Sequence, residues 1–282
     1  MKEAIKLIKN SPYIVAHVQW LHIKCELYKT IQKKNISNIV LLPHRACSLF
    51  TKKFKIDTGR NNPDLTVAIG LVGWTIWTLF DQIQDEKMLD VTHLNMFSTL
   101  RPIIDEHIGA LHLSDKEKSK LIGKISMMEY AESQTNNLNV KQKYILKSLA
   151  VSVPLLSLLM SVRVEIKNIK LCQKYFHHLL GARQLSDDAL DWPEDMKKGQ
   201  HTLVTQWLIE TIGKDRSVRE YRKAFNATVS PRVARKILRH SRLSIRYARQ
   251  MTCFTSTEFL EELPRFYETM AMNILNEYRV RA

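Results

Sequence analysis

The chain has 282 residues, 45% of them hydrophobic, with only 8 Gly, 8 Pro and a formal net charge of +15. That length fits one large domain or two small ones with a sizeable core, and the scarcity of turn residues, with no alternating apolar run, points to helices and away from sheet. The four cysteines, Cys25, Cys47, Cys172 and Cys253, are widely spaced, so there is no CxxC zinc or redox motif, and the chain reads as a reduced, cytoplasmic protein.

Taken in order, residues 1–35 read as a charged amphipathic helix broken near Asn10-Ser11-Pro12, without the apolar core of a signal peptide. Residues 36–50 carry Leu41-Leu42-Pro43-His44-Arg45, and Thr58 to Asp64 is a loop rich in Gly, Asn and Pro. A helix of about 23 residues, roughly 34 Å long, is then predicted from Leu65 to Lys87. It is apolar almost all round, which makes it central. Residues 88–113 continue as helix with Pro102 as a kink or start. Ser114, with Glu117 three residues on, caps the next helix, which runs to about Thr135. Asn136-Asn137-Leu138-Asn139 is a turn, and Lys141 to Arg163 is one apolar helix, in which Lys147 heads a stretch without further charge as far as Val162. It contains Pro154 and its apolar run falls short of the roughly 18–20 residues that a membrane span needs.

Residues 165–192 form a helix that Pro193 should end, leaving Glu194, Asp195, Lys197 and Lys198 in a loop or a following turn. His201 to Ile212 is a short helix, Pro231 opens another, and residues 257–282 form the last. From Lys214 to Arg249 twelve Lys/Arg stand against two acids, Asp215 and Glu220. Arg232, Arg235, Arg239, Arg242, Arg246 and Arg249 recur every three or four residues. Such a stripe fits a solvated face or an anionic membrane surface. Nucleic acid is not expected, because no aromatic residues are interleaved as single-strand binding requires.

Two acidic motifs remain, about 100 residues apart, each closing an apolar helix. Asp81 and Asp85 share one helical face, as do Asp187 and Asp191. Trp77 and Trp74 lie four and seven residues before Asp81 on the same face. If the two helices pack together, four or five carboxylates face one cavity and need cations between them. Mg2+ takes oxygen ligands and commonly bridges carboxylates to substrate phosphates. A bridged diphosphate ester is a good leaving group. No nucleophilic triad, Gly-rich phosphate loop or zinc signature competes with that chemistry. Loss of an allylic diphosphate leaves a carbocation, for which a dry, aromatic cavity is suited.

The chain here resembles the class I, all-trans-type isoprenoid synthases. Phe80-Asp81-Gln82-Ile83-Gln84-Asp85-Glu86 is similar to their first aspartate-rich motif, and Leu180 to Asp191, with its Gly-x-x-Gln-x-x-Asp-Asp approach, to their second. The resemblance implies an all-α, single-domain antiparallel helical bundle over residues 1–282, around a deep central pocket. It implies a prenyl diphosphate substrate and commonly three Mg2+ ions. Carried over by position, Asp81, Asp85, Asp187, Asp188 and Asp191 would hold metal, and Lys147, Lys197 and Lys198 diphosphate. Lys147-Ser148 resembles the Lys-Thr of polyprenyl diphosphate synthases. The residues four and five before the first motif, Trp77 and Ile76, set pocket depth in the resembled enzymes. Trp77 predicts a pocket for C15 to C20 chains.

The branch is less sharply drawn. Gln82 stands where polyprenyl synthases usually have Asp, no Arg-Arg pair follows Asp85, and Arg45 has no Gly-Lys before it. The stretch Asp191-Trp192-Pro193-Glu194-Asp195-Met196-Lys197-Lys198-Gly199 is closer to squalene/phytoene synthases. Metal motifs without an isopentenyl diphosphate site favour a terpene synthase, a lyase that ionises and cyclises one prenyl diphosphate. The alternatives are a prenyltransferase that elongates or joins prenyl chains, and a non-catalytic helical partner of a membrane or another synthase. A homodimer is compatible with the resemblance.

Overall fold

In the computed structural model the chain is a helical bundle. The structure describes residues 1–14, 17–32, 39–51, 54, 62–86, 91–133 and 140–281; for several helical stretches, 80–86 and 147–148 among them, only the backbone is described. The helices are α1 (Lys2–Lys9), α2 (His17–Gln32), α3 (Leu42–Cys47), α4 (Pro63–Glu86), α5 (Val91–Gly109), α6 (Asp115–Ser133), α7 (Val140–Val151), α8 (Val153–Ser161), α9 (Ile166–Lys198), α10 (Leu203–Ile212), α11 (Val218–Ala224), α12 (Ser230–Arg249) and α13 (Glu258–Arg281). A π-turn, Phe225–Val229, joins α11 to α12. Among the described residues the sole β-contact is an isolated bridge between Phe50 and Phe254.

The predicted central helix is central. On α4, Leu65, Val67, Ala68, Ile69, Leu71, Val72, Trp74, Ile76, Trp77 and Leu79 are all buried, which uses every side of the helix. It is wrapped by α1, α2, α3, α5 and α8. Its approach to α8 is close: a Cβ on Gly70 would sit 2.8 Å from Pro154 Cγ. The second half of the bundle is built on α9, which packs along α12, while α12 packs along α13. Tyr175 of α9 donates its hydroxyl to Leu260 O at 2.8 Å, and Ser244 Oγ of α12 donates to Tyr175 O at 3.1 Å, fixing the three helices in register. At Ser114 the Glu117 half of the expected box forms, with Glu117 accepting from both Ser114 N (2.9 Å) and Ser114 Oγ (2.7 Å).

Two prolines reverse their sequence readings. The single helix predicted from Lys141 to Arg163 is two, α7 and α8, divided at Ser152. Pro154 cannot donate into the preceding turn, and beside the break Ser152 Oγ donates to Leu149 O at 2.6 Å. Pro193, expected to end its helix, lies inside α9, which continues to Lys198. Buried anchors on both sides outweigh its local bias. Trp192 is buried and stacked on Phe225 with ring centroids 5.4 Å apart, and Asp195 is buried beyond it. The helix ends at Gly199, whose φ of 67° is the left-handed conformation glycine adopts without steric cost. Gly199 N donates to Met196 O and Gln200 N to Asp195 O, closing the last turn. The turn read at 136–139 and most of the loop at 58–64 lie outside the described residues.

Candidate functional site

The site is assembled from α4 and α9, which face each other across a gap. On α4, the rings of Trp74 and Trp77 stack at 4.6 Å with planes 21° apart, and both indoles are buried. Ile76, on another side of the helix, is fully buried. Asp81 and Asp85 follow on the same helix, one and two turns beyond Trp77. Their side chains, and that of Lys147 on α7, lie outside the described residues.

On α9 the acidic residues divide by burial. Asp188 and Asp195, seven apart, are 3% and 8% exposed. Gln184 Nε2 donates to Asp188 Oδ1 at 3.0 Å, so this carboxylate arrives oriented by its neighbour one turn back. Asp187 is half-buried and Asp191 is exposed. Burial pushes the Asp187 carboxyl above its ordinary range; Arg183 opposes that, and the charge on Asp191 adds to it. The continuation of α9 through Pro193 corrects the position of the lysines. Lys197 and Lys198 belong to the last helical turn and not to a loop. Helical geometry aligns Lys198 with Asp187 and Asp191, whereas Lys197 diverges to another face. Both are exposed.

Arg183 joins the two sides, and the sequence reading missed it. Its guanidinium lies 4.7 Å from the ring centre of Trp74 and 5.9 Å from that of Trp77. Its Nε approaches Asp187 Oδ2 at 3.5 Å. Nη1 is buried without a hydrogen-bond partner among the described residues. One signal was available: Arg183 is the lone charge in the apolar run Leu180–Leu185, one turn before Asp187. Tyr267 of α13 closes the neighbourhood; burial raises its hydroxyl to about 12, with Arg183 and Asp187 pulling in opposite directions. Behind the indoles, Ile69, Ile125, Met128, Val151 and Val153 line an apolar cavity of about 20 Å³. That is the room of a single water.

The α9 carboxylates fit a hard divalent cation. Asp187 and Asp191 offer oxygen donors whose mutual repulsion such an ion would relieve. Among the described residues no three His, Cys, Asp or Glu side chains converge on one point, so α9 alone does not complete a metal site. The α4 pair is the complement that the sequence suggests.

The arginine stripe is exposed along α12, with Arg232, Arg242 and Arg249 paired to Glu210, Glu268 and Glu261. Arg232 and Lys236 also lie over the buried Trp207, at 4.2 and 5.5 Å from its ring centre. Among the described residues no helix is long and apolar enough to cross a membrane.

No protein-family model matches the sequence, and no curated protein matches it. The structure is similar to that of a geranylgeranyl pyrophosphate synthetase from the archaeon Geoglobus acetivorans. The TM-score is 0.64 at 14% sequence identity, over 95% of this chain and 94% of the other. The helical bundle built on α4 and α9 thus shares the all-α fold of that synthetase.

Proposed function

We propose that the chain is a Mg2+-dependent isoprenoid synthase that acts on a prenyl diphosphate and transfers the prenyl group to a second isoprenoid unit. The observation that carries this reading is the contact of Arg183 with Trp74 and Trp77. Each acidic motif begins one turn further along its helix from that contact, which supports two carboxylate sets at one gap. Asp81, Asp85, Asp187, Asp188 and Asp191 would hold the metal, and Lys147, Lys197 and Lys198 the diphosphate. Lys198 is the better supported of the last two, since it shares the Asp187 face. Mg2+, when bound, would neutralise the charge that develops on the departing diphosphate. Gln184 orients Asp188, and the buried indoles wall the gap against water; Ile76, on another side of α4, does not line it.

Transfer is preferred to the cyclisation that the motifs first suggested. What supports this preference is the structural neighbour, a geranylgeranyl pyrophosphate synthetase, whose name gives a diphosphate as product. Incubation with farnesyl or geranylgeranyl diphosphate, with and without isopentenyl diphosphate, tests the assignment. An elongated diphosphate formed only with both substrates is expected. A hydrocarbon or alcohol from one substrate alone would restore the cyclase. No diphosphate release in Mg2+ would leave the non-catalytic partner, a reading that the small cavity favours. The exposed face of α12 is in either case proposed to rest on an anionic membrane surface.

A further inference from the structure

Nothing in the motif pattern assigns Arg183 a role, yet it occupies the middle of the gap. Three observations converge on it. Its guanidinium lies against both indoles, 4.7 and 5.9 Å from their ring centres, and so stands between α4 and α9. Its ion pair with Asp187 is long, at 3.5 Å, and uses Nε. Its Nη1 is buried and unpartnered among the described residues, which is costly for a charged donor and rare unless a ligand completes it. A planar fork with a vacant donor matches a phosphate oxygen.

We propose that Arg183 is a diphosphate-binding residue whose guanidinium closes the passage over Trp74 and Trp77 and leaves it when an anion takes Nη1. The passage beneath the acidic motifs then opens to the hydrocarbon only when a diphosphate is in place. This rests on the reading of the gap as a prenyl diphosphate site, but it is testable without turnover.

The experiment titrates the full chain with inorganic diphosphate, first in EDTA and then in Mg2+, by calorimetry and tryptophan emission. Trp74→Phe and Trp77→Phe variants assign the emission. The wild type is expected to bind and to change its emission as the guanidinium departs. Arg183→Gln should weaken binding about tenfold or more and begin with altered emission. Arg183→Lys, which keeps the charge but not the fork, should fall between them. Circular dichroism and thermal unfolding confirm that the variants fold. Equal binding by wild type and Arg183→Gln overturns the proposal, as does failure of the wild type to bind in either buffer. If the wild type elongates prenyl diphosphates and Arg183→Gln does so with unchanged KM, this inference fails and the enzyme reading stands. Arg183-dependent diphosphate binding without turnover of any prenyl diphosphate has the opposite meaning.

Discussion

Gly181 packs against His240 so closely that a Cβ at position 181 would lie 2.7 Å from His240 Nδ1 and 2.8 Å from Cε1. This glycine opens the approach to the second acidic motif, and it is required because α9 and α12 meet there. His240 in turn lies 3.1 Å, Nδ1 to Nδ1, from His178 on α9, and His178 stacks on Tyr247 of α12 with planes 7° apart. Gly181→Ala must displace the imidazole, and overpacking of this kind costs about 1–3 kcal/mol. Urea unfolding of the variant should show a lower midpoint with an unchanged slope. An unshifted midpoint would mean that the two helices are free to separate there.

The same histidine pair sets an acid dependence. Burial is the first cause that lowers both His178 and His240, to about 4, with positive neighbours His177, Lys174, Lys236 and Arg239 adding to it. One ring donates to the other only while at least one is neutral. In the unfolded chain each histidine titrates near 6.5. The unfolded state therefore binds more protons between about pH 6.5 and 4, and stability falls as pH drops through that window. Above 6.5 the pair contributes no pH dependence. Urea titrations from pH 7 to 4 should show the decline, and His240→Gln should flatten it. A slope that the variant leaves intact would place the dependence elsewhere.

Removal of the carboxylates proposed to hold metal should separate catalysis from folding. Asp187→Asn and Asp81→Asn are each expected to lower kcat for diphosphate release at least about 100-fold in saturating Mg2+. Asp187→Asn should not lower thermal stability, because the wild-type carboxylate already carries a burial penalty and the charge of Asp191 beside it. Stopped release assays and thermal melts on the same preparations check both halves. Release that survives either substitution would remove that residue from the proposed metal site.

Trp77 gives a test of chain length. Trp77→Ala removes one of the two indoles under Arg183 and enlarges a cavity that now has room for one water. The products should lengthen by at least one isoprene unit by mass spectrometry. The same variant should lose about 3–5 kcal/mol of stability, as buried tryptophan truncations do. An unchanged product length in a folded variant would show that another residue ends the chain.

For the basic face, a helix at 100° per residue gathers the six arginines from 232 to 249 into an arc of about 100° and a length of about 26 Å. Arg235, Arg239 and Arg246 have no ion-pair partner among the described residues. Each arginine near an anionic bilayer contributes about 1 kcal/mol. The triple change to Gln should then weaken flotation with anionic vesicles about 100-fold, and wild-type binding should fall steeply with salt. Binding indifferent to salt or to the triple change would sink the membrane reading.

The amino-acid sequence by itself determined the helical class, the central place of α4 and the two acidic motifs. These depend on apolar periodicity and on four-residue spacings, which are properties of a single helix. Single-helix reasoning had no access to the outcome at Pro193. Its bias against helix was outweighed by Trp192 on Phe225 and by the burial of Asp195, contacts made by residues distant in the chain. With that, Lys198 joined the Asp187 face and Lys197 left it. The surroundings of Arg183 were likewise decided only in three dimensions. A lone arginine in an apolar run is equally a snorkelling surface residue until another helix brings two indoles under it. Tertiary structure therefore decided what surrounds Arg183, because the partners that desolvate and stack on a charge lie more than 100 residues away along the chain.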